Sequence, residues 1–257
     1  SPIVTDVYGL EAEMLALGWR LPGAPDLKTA AVADIAGSIL SNGRAGIIDI
    51  DVNQQQKALY LSAGTSMRPD YGMFMVMGRP KQGQSLEQLK DISLEEIAKL
   101  RAGDFDDSLI PATINNIKLS KMHELEHNAS RAQMYVDAFI NGVDWKDAAR
   151  DLERYEAVTK EDVVAFANEY LSDSSYAVVY KRQGEDKNVQ KIAAPKITPI
   201  VTNRDSQSAF LKEIQATKVK PIAPVFVDFS KDMSTAALTD GVNMLYKRNG
   251  QNDIFNL

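Results

Sequence analysis

Apolar and polar positions alternate loosely and then turn apolar over residues 8–21, where Met14, Leu15, Ala16, Leu17, Gly18 and Trp19 predict a strand. Pro22, Gly23 and Pro25 end it, because proline removes a ladder donor and glycine frees the backbone to turn. Asp26 supplies a side-chain acceptor for the free N–H groups of a helix start. Behind it Ala30, Ala31, Ile35 and Ile39 recur at helical spacing, so a helix is expected to about Leu40, stopped by Ser41-Asn42-Gly43. A second helix is expected over Ile47–Lys57. Two strand-like runs follow, Ala58–Met67 and Tyr71–Gly78, separated by Arg68-Pro69-Asp70, which suits a hairpin turn. Met73, Met75 and Met77 alternate along the second run and read as core rather than as a metal-binding track. Trp19 and Trp145 read as packing residues.

Two long helical patterns come next. One covers Ser85–Leu100; the other starts after Gly103-Asp104 and runs from about Asp106 towards Asn141, with Pro111 near its start, where a missing N–H costs little. Thr159-Lys-Glu-Asp162 has the form of a capping box ahead of an amphipathic helix carrying Val163, Val164, Phe166, Ala167, Tyr170 and Leu171. Tyr176–Tyr180 then reads as a closing, largely buried strand. The order strand, helices, strands, helices, strand predicts an α+β fold, an antiparallel sheet with helices packed on one face.

Beyond Lys181 the pattern fades. The polar stretch with Pro195, Pro199, Pro221 and Pro224 holds one helical piece, near Ser206–Ala216, and reads as a linker. Val225–Phe229 reads as a strand. Val242–Tyr246 and Asp253–Leu257 read as a hairpin across Arg248-Asn249-Gly250-Gln251. The expected division is therefore a domain over 1–182, a linker over 183–223, and the opening strands of a following domain over 224–257.

Composition narrows the class without naming a function. The 257 residues are 44% apolar and 25% charged, enough to bury a proper core. The net charge is −6 with acids and bases interspersed, which excludes the clustered basic surface of a nucleic-acid binder. Cysteine is absent, so disulfides and thiolate metal sites are excluded, and cytosol and periplasm fit equally well. No apolar run reaches the length of a membrane span. The opening Ser-Pro-Ile-Val is not a signal peptide and reads as the start of an excised piece, in which a targeting signal of the parent would be invisible.

The two histidines, His123 and His127, lie four apart in an expected helix, with Glu124 and Glu126 between them. On a helix that spacing puts both imidazoles on one face. The string matches His-Glu-x-x-His, with Glu124 as general base, and also the inverted His-x-x-Glu-His, with Glu126 in that role. Two imidazoles and one carboxylate could hold a zinc ion with an open position for water. A third ligand would have to be Asp or Glu; Asp144, Asp147 and Asp151 are near, and none sits in a ligand motif. The flanks Lys118, Ser120, Lys121, Asn128, Ser130 and Arg131 read as a solvated face, where a buried ligand helix needs apolar support. The bland reading, surface residues and no metal site, is preferred.

The stretch Gly103–Tyr180 resembles the second, C-terminal-type domain of the M16 (pitrilysin/insulinase/mitochondrial processing peptidase) family. The resemblance is carried by Gly103-Asp104-Phe105-Asp106-Asp107, Asn128-Ala-Ser-Arg131-Ala132, Ile140-Asn-Gly-Val-Asp144-Trp145, Tyr155-Glu-Ala-Val158-Thr159-Lys-Glu-Asp162-Val163 and the strand Leu171–Val179. Looser likeness extends it to about residues 8–182, and Asp240-Gly241-Val242-Asn243-Met244 is similar to a first-strand pattern of the next domain. The resemblance implies a non-catalytic domain of a zinc metallopeptidase that packs on a catalytic domain of the same chain or of a partner subunit and lines the chamber enclosing peptide substrates. It implies zinc in the parent, held by an earlier domain, and none in this piece. It also implies an Arg and a Tyr that bind substrate in C-terminal-type domains; the nearest counterparts are Arg44 and Tyr60, at a spacing that departs from the family's. Bacterial relatives suggest the periplasm or cell envelope, with the cytoplasm open. Two rival functions stand beside this one: an autonomous zinc peptidase built on His123–His127, and a scaffold module of a degenerate peptidase relative.

Overall fold

The structure, a computed structural model, describes residues 1–187, 193–200, 202 and 206–256. The chain divides into two units, Ser1–Val189 and Gln190–Leu257.

The first unit is built on one sheet. Its strands are β1 (Ile3–Gly9), β2 (Met14–Pro22), β3 (Tyr60–Met67), β4 (Tyr71–Arg79) and β5 (Ala177–Gln183), in the order β1-β5-β2-β4-β3. β2 lies at the centre because its alternate residues Leu15, Leu17, Trp19 and Leu21 are all buried. It pairs antiparallel with β4 and β5, and β3 and β4 form the expected hairpin. Gly23 is required beside that turn: a Cβ there would stand 2.1 Å from the Pro69 carbonyl oxygen. The sheet is α+β in class but mixed rather than wholly antiparallel, because β1 runs parallel to β5. β1 has no counterpart in the sequence reading. It is an edge strand on which all residues but Gly9 are exposed, so no burial pattern marks it.

The helices that pack on the sheet are α1 (Leu27–Leu40), α2 (Leu86–Ala102) and α7 (Lys160–Tyr170). Their ends follow local chemistry. Asp26 accepts from Thr29 N–H at 3.1 Å, and Ser85 and Thr159 each close a reciprocal capping box, with Gln88 and Asp162. Gly103 takes the left-handed conformation (φ 70°) that stops α2. The core joins these helices to one face of the sheet through Ile35, Ile39, Leu89, Ile97, Val163 and Phe166 against Trp19, Phe74 and Val76. Trp19 also donates its indole N–H to the Ser172 carbonyl at 3.0 Å.

Three expectations are corrected. The Ile47–Lys57 helix is a short turn ending in a π-helical segment, Asp49–Asn53. The long helix from Asp106 is two helices, α3 (Leu109–Glu124) and α4 (Asn128–Ile140). Arg131 holds the break by donating from Nε to the Leu125 carbonyl at the end of α3, where a cation suits the free carbonyls. The third concerns Met73, Met75 and Met77. β4 buries Phe74 and Val76 on the core face, and the period of two puts the methionines on the opposite face, with Met73 43% exposed. Trp145 likewise is only partly covered; it opens the short helix α5 (Trp145–Ala148) and stacks on Tyr135 at 3.9 Å. A further short helix, α6 (Asp151–Glu156), precedes the Thr159 cap.

In the second unit, α8 (Ala209–Ala216) matches the helical piece of the sequence reading. Val225–Phe229 forms no strand, and Val242–Tyr246 does not pair with the segment after it. Instead β6 (Ser234–Thr239) and β7 (Val242–Tyr246) form a hairpin with a bulge at Ala237/Thr239. Asp240-Gly241 is its turn; Gly241 takes the positive φ (77°) there and Asp240 does not, a conformation that glycine adopts without steric cost. Leu257, the last residue of the expected Asp253–Leu257 strand, and residues 188–192, 201 and 203–205 of the expected linker lie outside the described residues.

Phe74 and Met75 are neighbours on opposite faces of one strand, so they separate the two surfaces cleanly. Phe74→Ala is expected to cost about 3–5 kcal/mol in urea unfolding, whereas Met75→Ala is expected to cost less than about 1 kcal/mol.

Candidate functional site

The open face of the sheet is made by the alternate residues that the core does not use. Strand register aligns them in rows. Ala16 and Ser62 flank Met77, Gly18 and Gly64 flank Met75, and Arg20 and Ser66 flank Met73. Ala177 and Val179 of β5 extend the rows beside Gly18 and Ala16. The methionine side chains therefore form a ridge bordered by small residues. Thioethers are flexible and polarisable, a surface that adapts to differently shaped apolar groups.

Charged side chains close both ends of this ridge. At one end the Arg20 guanidinium lies 3.5 Å from the Tyr71 ring centroid, a cation–π contact. At the other end stand Arg79 and Lys181. Lys181 donates from Nζ to the carbonyls of Gly9 at 3.3 Å and Ala12 at 3.1 Å, and also to that of Glu11. Arg79 Nε is buried without a hydrogen-bond partner. Tyr60 shares this face and end, opposite Arg79 in the β3–β4 register. The sequence reading singled out none of Arg20, Arg79 and Lys181; the signal that finds them is strand parity, counted from the buried Trp19, Val76 and Val178.

Arg44 is placed elsewhere, in the exposed loop between α1 and the π-helical turn. One buried carboxylate fastens this loop. Asp49 accepts from the backbone N–H groups of Asn42 (2.8 Å), Gly43 (2.8 Å) and Gly46 (3.1 Å). The turn links Arg44 to the start of β3 only indirectly. Gln54 donates from Nε2 to the Arg44 carbonyl at 3.0 Å, while the Asn53 amide bonds both backbone groups of Leu61, next to Tyr60.

His123 and His127 do not share a helix face. α3 ends at Glu124, and His127 is the extended N-cap of α4 (φ −106°, ψ 126°). His123 Nδ1 lies 3.7 Å from the Glu126 carboxylate. Among the described residues no three His, Asp or Glu side chains gather as metal ligands would. Glu124 instead borders a cavity of about 480 Å³ on the helical side, lined also by Ser38, Thr113, Asn116, Lys121 and Asp151. Its charged groups are largely satisfied by one another. Lys121 pairs with Asp151, and burial holds its ammonium below the ordinary lysine range. Tyr155 at the cavity wall donates to Asp34 at 2.9 Å, and burial, with the Asp34 charge beside it, pushes the phenol well above the usual range.

Solved structures show what this architecture resembles. A protease from Helicobacter pylori superposes with TM-score 0.65 at 18% identity, covering 70% of this chain and 43% of that one. A peptidase M16 inactive domain from Pseudomonas fluorescens gives 0.61 at 13% identity, covering 72% and 44%. The fold is that of an M16-type peptidase domain. An inactive peptidase domain from Bordetella parapertussis gives 0.57 at 15% identity, covering 67% of this chain and 93% of that one. At these identities the likeness is one of M16 fold, and the chain spans less than half the length of the first two proteins. No family model matches the sequence. No curated protein matches it either.

Asp49→Ala orphans several N–H groups at once. It is expected to lower stability by about 2–4 kcal/mol and to speed tryptic cleavage after Arg44 in limited proteolysis.

Proposed function

We propose that this chain is a non-catalytic M16-type domain that packs on a catalytic domain, in the same chain or a partner subunit, and presents its open sheet face to peptide substrates as a wall of the chamber. The observation that carries the reading is the one-sided sheet. A large apolar face bordered by polar groups is left uncovered by its own helices, and such faces mark binding surfaces. Contacts there would be many and weak, through adaptable methionines and strand-like alignment of an extended peptide. Zinc belongs to the catalytic domain in this reading. His123, Glu124, Glu126 and His127 are surface residues at a helix break. Tyr60 contributes to the wall, and Arg44 is a solvated loop residue. Residues 224–257 are the opening strands of a following domain, in keeping with a β6–β7 hairpin whose residues are all exposed.

Alone, the chain is expected to hydrolyse no peptide and to hold no stoichiometric zinc by elemental analysis, with no difference in a His123→Ala/His127→Ala variant. One tightly held zinc per chain, lost in that variant, would instead establish the two-histidine peptidase reading. The wall itself is tested in the longer protein containing the catalytic domain. A photo-crosslinking residue at Met75 should capture bound peptide, and one at Leu119, exposed on α3, should not. Capture at Leu119 and not at Met75 would place the substrate on the wrong side of the sheet for this proposal.

A further inference from the structure

The five strands of the first unit contain one acidic residue, Asp6. It points away from the open face. In register it lies beside Tyr180, which is buried on the core side, and its carboxylate meets Arg182, which in turn reaches Glu87 of α2 at 2.6 Å. Of the strands' four basic residues, Arg182 is therefore spent on the helical side. The other three, Arg20, Arg79 and Lys181, stand on the open face, and none has an ion-pair partner among the described residues. The chain as a whole carries −6, so an open face with three cations and no anion on its strands runs against its composition.

The charges are also ordered in space. Arg20 pairs in register with Met73, while Arg79 lies six residues further along β4. At ~3.4 Å per residue the two ends are about 20 Å apart. Between them lie the methionine ridge and its borders of alanine, glycine and serine, with no charge. We infer that the open face selects extended peptide segments with an apolar centre and acidic side chains at both ends, spaced by about six residues. Apolar side chains bed against Met73, Met75 and Met77. Carboxylates meet Arg20 at one end and Arg79 at the other, where Lys181, its ammonium held by three backbone carbonyls, adds positive charge without a free donor. The uncharged, thioether-lined centre suits a peptide better than a nucleic acid, whose phosphates need cations along the whole track. This inference rests on the proposed role of the face as a substrate wall and adds the class of substrate.

The test uses the full chain and three fluorescent peptides of equal length. They share one leucine-rich centre and carry aspartate, serine or lysine at both ends; binding is read by anisotropy. The aspartate peptide is expected to bind roughly tenfold more tightly than the lysine peptide, the size a few exposed ion pairs supply together. That preference should collapse in about 1 M salt, where screening reaches within a few ångströms. It should also collapse in an Arg20→Gln/Arg79→Gln variant whose circular dichroism is unchanged, while Met75→Glu weakens all three peptides. Equal affinities, or tighter binding of the lysine peptide, would overturn the selectivity and leave the substrate wall standing. Binding of all three that is indifferent to Met75→Glu would overturn both. Tighter binding of a single-stranded oligonucleotide than of the aspartate peptide would also overturn the inference.

Discussion

The sheet of this protein is buried on one side only, and the rest of the first unit follows from that. Leu15, Leu17, Trp19 and Leu21 on the central strand and Phe74 and Val76 beside them need covering, and α1, α2 and α7 cover them. Because side chains alternate strictly along a strand, everything between those residues is forced to the other surface. A one-residue slip of β4 against β2 would exchange Phe74 and Val76 for methionines and expose the aromatic core, so register and surface are set together. The Met73–Met77 ridge is thus the obligatory reverse side of the core.

Local chemistry sets where the covering elements start and stop. Asp26, Ser85 and Thr159 satisfy free N–H groups at three helix starts, and Gly103 ends α2. Asp49 does for a loop what a cap does for a helix, gathering three N–H groups of residues 42–46 on one buried carboxylate. Between α3 and α4 the device is Arg131, which reaches back to the Leu125 carbonyl and holds the two helices apart as separate elements. That division also takes His127 out of the helix that would have aligned it with His123.

Much of this was legible in the sequence. The caps, the β3–β4 hairpin, the α1, α2 and α7 helices and the α+β class follow from local residue chemistry, and the resemblance to M16 domains pointed to the fold that the solved structures share. The illegible parts have physical reasons. β1 exposes almost every residue, so alternation could not mark it. The α3–α4 break depends on Arg131 reaching back to a carbonyl, which no periodicity encodes. The sequence pattern predicts a core role for the methionines because hydrophobicity alone does not say which of two alternating sets faces the helices. Phe74 and Val76 could have settled that parity, since the bulkier aromatic and branched set is the better core former. The open-face cations, too, become visible only once parity is known.

The most direct measurement is an NMR titration of the chain labelled with ¹³C at its methionine methyls, with an acidic-ended apolar peptide added stepwise. If the open face is the peptide surface, the resonances of Met73, Met75 and Met77 shift together and saturate, while those of Met122 and Met134, on α3 and α4, stay in place. Shifts confined to Met122 and Met134 would put the peptide on the helices and contradict the account.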